Sequence, residues 1–310
     1  MTDPQPDAAS AGRAPAPGPG TLRTQAADYV ALAKPRLNVL VVVTALAGYY
    51  MGVRPGTTGI LLTCIHLVVG TALVASGSAV YNQLLEIEAD GRMRRTRARP
   101  LPSGRLTPRA ARVFASVLSL AGTLQLALGV NPLAAAIAFV TLLTYTVFYT
   151  PLKKRTSLST VVGGVPGALP PMIGWAAARN DLSLEAWILF GVVFLWQMPH
   201  FLAIAWMYRE DYGRAGFPLL PVIEPDGRST GRQALLYAAA LLPVSLAPTA
   251  VGMTGIVYFV AAVVMGVAFV WLAARFAWLR TAPAARRLFF ASIAYLPVLW
   301  ILMVLNRVTP

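Results

Sequence analysis

Seven stretches of this chain run for 17 to 42 residues without a single Asp, Glu, Lys or Arg. No other feature restricts the fold as strongly. A helix crosses a bilayer in about 20 apolar residues, and backbone polar groups in lipid have to be satisfied inside the segment. Windows 37–53, 55–85, 156–178, 186–208 and 288–306 each fit one crossing. Windows 113–152 and 233–274 are twice that length, and each carries a turn signal, Asn131-Pro132 in one and Gly252-Met253-Thr254-Gly255 in the other. The expectation is an all-α, polytopic membrane protein of nine transmembrane helices. Composition agrees, because 12% of residues are charged where a soluble domain carries about 25%.

Charge gives the orientation. Counted from an inside N-terminus, nine spans gather 23 of the 26 basic residues on one side and leave Arg54, Arg179 and Arg307 on the other. Loops rich in Lys and Arg stay cytoplasmic, so the N-terminus is expected inside and the C-terminus outside. The same segregation accounts for the net charge of +14 without invoking nucleic acid. The long inside loops, 86–112 and 209–232, hold nearly all the polar chemistry, whereas the outside connections are short. Long loops on a rigid scaffold are where function usually sits. Cys64 stands alone in an apolar run, so no disulfide framework exists. Residues 1–27 are expected to form a disordered cytoplasmic tail, since the Ala-, Pro- and Gly-rich start has no hydrophobic core. Residues 28–310 are expected to form a single transmembrane domain.

The first long loop opens with NQLLEIEADGRMRRTRARPLPSGR. Asn82, Glu86 and Asp90 recur at i, i+4 and i+8 and therefore share one helix face. A carboxamide and two carboxylates suit a hard cation such as Mg²⁺. The arginines beyond them suit phosphate oxygens. Glu88 falls on the opposite face. A bare stop-transfer helix end would account for the arginines, but not for the acids among them. The second long loop repeats the pattern with Glu210, Asp211 and Arg214 just after a span. Two acidic helix ends facing one cavity would hold a metal-bridged diphosphate, although spacing alone does not bring them together. Between them, TPLKKRTS offers Lys153, Lys154 and Arg155, at least one of which is expected to reach a phosphate. Pro166, Pro170 and Pro171 kink the span at 156–178, either for packing or to line a cavity. His66 reads as a core histidine. His200, within the span that leads to Glu210, is either a haem contact, a base, or a hydrogen-bonded packing residue.

Together these residues resemble the UbiA-type intramembrane prenyltransferases, and their haem-farnesylating branch in particular. The family pattern N-x-x-x-D-x-x-x-D followed by M-x-R-T-x-x-R-P-L is filled by Asn82, Glu86, Asp90, Met93, Arg95, Thr96, Arg99, Pro100 and Leu101. WQMPHF, YREDY, AGFPLLPV, TPLKKRT and GGVPGALPPMIGW also match, and the likeness covers about residues 28 to 305. Glu86 stands where the family usually has aspartate, so its carboxylate lies one methylene further out.

The resemblance implies nine helices around a central lipid-accessible cavity in a bacterial cytoplasmic (inner) membrane. It implies Mg²⁺ on Asn82, Glu86, Asp90 and Asp211, with Arg95, Arg99 and Lys153 on the diphosphate. The implied partners are farnesyl diphosphate, haem B and the bilayer, with haem A synthase as a protein partner. The implied reaction joins the farnesyl group to a haem vinyl group and gives haem O. Two other readings compete: a prenyltransferase using an aromatic quinone precursor, and a transporter for an anionic lipid or a metal. Short, nearly uncharged outside loops speak against transport.

Overall fold

The structure, a computed structural model, describes residues 22–308. In chain order the helices are α1 (Leu22–Ala33), α2 (Pro35–Gly52), α3 (Ile60–Leu85), α4 (Ile87–Arg92), α5 (Pro108–Gly129) and α6 (Pro132–Leu143). A π-helical turn, Thr144–Tyr149, runs on into α7 (Thr150–Leu152). Then come α8 (Ser159–Ala168), α9 (Pro170–Arg179), α10 (Leu184–Met207), α11 (Arg209–Arg214), α12 (Leu220–Ile223), α13 (Arg228–Ala250), α14 (Ile256–Leu279) and α15 (Ala282–Leu305). Eight of the resulting segments are long and apolar enough to cross a membrane, and the pair α1–α2, bent by 42°, makes a ninth if it is taken as one span. The protein is therefore a multi-pass helical membrane protein.

The turn signals work as local chemistry predicts. Asn131 caps α6 by accepting from the Ala134 amide at 2.8 Å, with Pro132 at the first helical position. Thr107 caps α5 in the same way, accepting from the Ala110 amide at 3.2 Å. Gly252, at φ +77°, turns the chain between α13 and α14. Pro166 lies inside α8, and Pro170-Pro171 restart the helix as α9, so this span is broken at its middle.

Helix α1 starts at Leu22, within the tail expected to run to residue 27; residues 1–21 of that tail lie outside the described residues. The reason is tertiary. Leu32 is fully buried beside Val80, Leu101 and Leu106, and Asp28 accepts from Arg105 at 3.0 and 3.1 Å. Those contacts hold a helix whose own sequence is only weakly apolar.

Small residues set the helix spacing, as expected where lipid provides no apolar gradient between helices. A Cβ on Gly174 would strike the Ala45 carbonyl of α2, and one on Gly48 would strike the Pro171 carbonyl of α9. Gly70 and Gly122 bring α3 and α5 together likewise. At the opposite end from the long loops, Arg307 donates to the carbonyls of Tyr50 and Val53, tying the end of α15 to the end of α2.

Candidate active site

The two acidic helix ends share one backbone device. α3 stops at Leu85, Glu86 takes φ −110° and ψ 13°, and α4 resumes at Ile87. α10 stops at Met207, Tyr208 takes φ −111° and ψ 20°, and α11 resumes at Arg209. Across the first break the Glu86 amide still bonds the Asn82 carbonyl at 3.1 Å, and the Asp90 amide bonds the Glu86 carbonyl at 2.7 Å. The i, i+4, i+8 relation therefore survives the kink. Asn82, Glu86 and Asp90 are all buried, and Glu88 is exposed on the other face.

The long loops meet. Ala89 and Met93 from the first pack in one apolar cluster with Tyr212, Ala215, Phe217 and Leu219 from the second. Lys153 joins them. Its Nζ donates to both oxygens of Glu86, at 3.1 and 3.2 Å, and stands 4.6 Å over the Phe217 ring. Lys154 and Arg155 are exposed, so of the three cations Lys153 is the one that faces inward.

Each acid holds a cation. Arg99 donates to Oδ2 of Asp90 at 2.7 Å, and Arg214 pairs with Asp211 one turn away. Among the described residues no three acidic, histidine or cysteine side chains already converge on one metal position. The donor set nevertheless fits a hard cation. Oδ1 of Asp90 is enclosed and has no hydrogen-bond partner. Thr150 spends its proton on the Tyr145 carbonyl at 2.8 Å, so it accepts from Asn82 Nδ2 at 3.3 Å and leaves Asn82 Oδ1 free to coordinate.

Arg95 stands apart from this cluster. It is exposed, with its guanidinium 5.3 Å over the Tyr208 ring. Arg92, Arg94 and Arg97 are exposed as well. His200 lies on α10 between the Trp196 and Phe289 rings, stacked at centroid distances of 5.2 and 5.0 Å.

One site residue is absent from the sequence reading, which counted it only toward topology. Lys34, at φ +50°, forms the bend between α1 and α2. It shares a cavity of about 400 Å³ with Gln83 and Arg99. Nothing in the spacing of Lys34 ties it to a loop some fifty residues later.

Residues 41–295 match the model of the UbiA prenyltransferase family. The chain belongs to that family. Relatives called protoheme IX farnesyltransferase include one from Solibacter usitatus, 47% identical over 90% of this chain and 98% of the relative. Another, from Koribacter versatilis, is 42% identical over 94% and 96%. The UbiA fold is equally plain in solved structures. A digeranylgeranylglyceryl phosphate synthase superposes with a TM-score of 0.77 at 18% identity, covering 91% of this chain and 98% of its own. A UbiA homologue of Archaeoglobus fulgidus, solved with dimethylallyl diphosphate (DMAPP) and Mg²⁺, gives 0.66 at 15% identity, covering 89% and 99%. As a UbiA member the chain is a transferase.

Proposed function

We propose that this chain transfers the farnesyl group of farnesyl diphosphate to a vinyl group of haem B, giving haem O and releasing diphosphate. The observation that carries the reading is near-full-length identity of 47% to a protoheme IX farnesyltransferase, joined to a site whose acids and cations suit a metal-bound diphosphate. We place the protein in the bacterial cytoplasmic membrane with its N-terminus and both long loops in the cytoplasm, as the charge asymmetry supports.

Asn82, Glu86, Asp90 and Asp211 would hold Mg²⁺. The metal would supply Lewis-acid neutralisation of the leaving diphosphate. Arg99 and Lys153, now paired with Asp90 and Glu86, are poised to turn to the diphosphate oxygens once the acids take a cation. Lys34 adds a third positive charge, and Arg95 a fourth at the rim. Concentrating positive charge where negative charge develops is the main lever for such a departure. The C1–O bond of farnesyl diphosphate breaks and the electron pair leaves with diphosphate. The departure leaves an allylic cation at C1. The vinyl carbon–carbon double bond attacks C1, and the new cation on the haem side chain is captured by water, which loses a proton. The product carries a hydroxyethylfarnesyl chain, the substrate class a haem A synthase would consume.

The test is mass spectrometry of haems from membranes expressing this chain, and from purified protein given farnesyl diphosphate, Mg²⁺ and haem B or 4-hydroxybenzoate. Haem O with stoichiometric diphosphate is expected. A prenylated 4-hydroxybenzoate without haem O would replace the reading with the quinone one.

A further inference from the structure

From Gly227 to its end the chain holds no Asp or Glu. Four arginines of that stretch, Arg275, Arg280, Arg286 and Arg287, flank the single turn between α14 and α15. None of them makes an ion pair among the described residues. Two are seated on rings of their own helices. Arg275 stands 5.0 Å over Trp271, and Arg286 stands 5.7 Å over Phe290. Setting the orientation of a span takes the charge alone, not a seat for it.

These arginines edge two adjoining hollows. One, of about 550 Å³, has Met207, Tyr208, Phe289 and Phe290 in its wall together with Arg286. The other, of about 450 Å³, has Leu272, Pro283 and Phe290 together with Arg286 and Arg287. Phe290 lies four residues past Arg286, about 6 Å further along the helix at 1.5 Å per residue. The cations therefore stand at one end and the carbon wall runs on below them. That wall faces outward: Phe290 is 54% exposed, and Trp271 and Trp278 of α14 are 56% and 81% exposed. Exposed tryptophans near the end of a spanning helix mark the level of the lipid headgroups.

Tyr208 gives the place its consequence. It is a wall of the larger hollow and also the residue at which α10 breaks before Asp211. Its ring carries Arg95 at 5.3 Å. Whatever fills the hollow touches the kink that presents the second acidic helix end.

We propose that the turn between α14 and α15 is a binding site for one anionic phospholipid, which braces the kink at Tyr208. Its headgroup phosphate lies on Arg286 and Arg287, and an acyl chain follows Phe290. Charge complementarity names the occupant. Cations with no acid of their own attract an anionic headgroup, and the apolar wall beneath them selects a lipid over a water-soluble phosphate. None of the lining residues belongs to the acidic cluster, so the site stands whichever acceptor is prenylated.

The experiment is native mass spectrometry of the full chain from phosphatidylcholine nanodiscs doped with phosphatidylglycerol, with hydrogen exchange measured over residues 208–214. Wild type is expected to retain one phosphatidylglycerol selectively and to exchange more slowly over that segment when it is present. Arg286→Gln/Arg287→Gln, at two exposed positions, should weaken retention about thirtyfold, the scale of two arginines at a membrane surface, and abolish the slowing. Arg286→Lys/Arg287→Lys should keep both, which separates loss of charge from loss of fold. Arg109→Gln/Arg112→Gln removes the same charge from α5 and should behave as wild type. Wild-type retention in Arg286→Gln/Arg287→Gln would overturn the site. Equal loss in the α5 variant would reduce the attraction to net charge and overturn it as well. Displacement of the lipid by inorganic phosphate would overturn the lipid as occupant. Retention with no change in exchange over residues 208–214 would overturn the brace.

Discussion

At the scale of single residues the site is a set of acids whose charges are already answered. Asp90 has Arg99, Glu86 has Lys153 and Asp211 has Arg214. If these acids hold Mg²⁺ as proposed, removing one would both delete a metal ligand and free a cation that would otherwise be shared with substrate. Asp90→Asn and Asp211→Asn are each expected to lower turnover at least about a hundredfold, roughly 3 kcal/mol of transition-state stabilisation. Rates within a few-fold of wild type at matched protein levels would remove that residue from the site. Glu86 separates charge from reach. Glu86→Gln should be nearly inactive, whereas Glu86→Asp should work but need more Mg²⁺ for half-maximal rate; a fully active Glu86→Gln would show that the carboxylate is no ligand. Lys34→Met should raise the KM for farnesyl diphosphate about tenfold, about 1.4 kcal/mol, with the haem KM unchanged. An unaltered diphosphate KM would leave Lys34 as a topogenic charge.

At the scale of elements, close helix contacts place those residues. α2 carries Lys34 at its start, and it lies against α9 because Gly48 and Gly174 leave no side chain between the backbones. Gly174→Leu should cost more than the 1–3 kcal/mol typical of overpacking, because the collision is with a backbone carbonyl. Loss of the monodisperse protein peak on detergent size exclusion is the expected result. A wild-type elution profile and melting temperature would mean that α2 and α9 can part without harm. The kinked ends at Glu86 and Tyr208 are the other element-scale device. Each turns the chain out of a span while the i→i−4 bonding continues, so the acids stay on the inner face.

At the scale of the whole molecule, nine spans, with α1–α2 taken as one, would put the two termini on opposite sides of the membrane. Reporter fusions after Arg179 and after Pro310 should both read as periplasmic. A cytoplasmic signal from the second would show that α1 and α2 do not together make a crossing. The bend at Lys34 is where that count is decided, since α1–α2 passes as a span only when the two helices are taken together.

The spans, their breaks and the polar ends follow from local sequence. Asn131-Pro132 and the Gly252–Gly255 turn end helices through local hydrogen bonding and backbone freedom, and an uncharged run partitions into lipid by the sum of its own residues. The pattern of Asn82, Glu86 and Asp90 was legible for the same reason, because 3.6-residue periodicity is local. Packing between distant helices, by contrast, sets which loops meet, turns Lys153 and not Lys154 toward Glu86, joins Lys34 to Arg99 and lays Arg95 on Tyr208. It also pairs His200 with Ser292 of α15. These contacts lie far apart in the chain. Inside a bilayer no apolar gradient chooses the neighbours of a helix, so the choice falls to the fit of small residues and to paired polar groups, which only the packed bundle reveals.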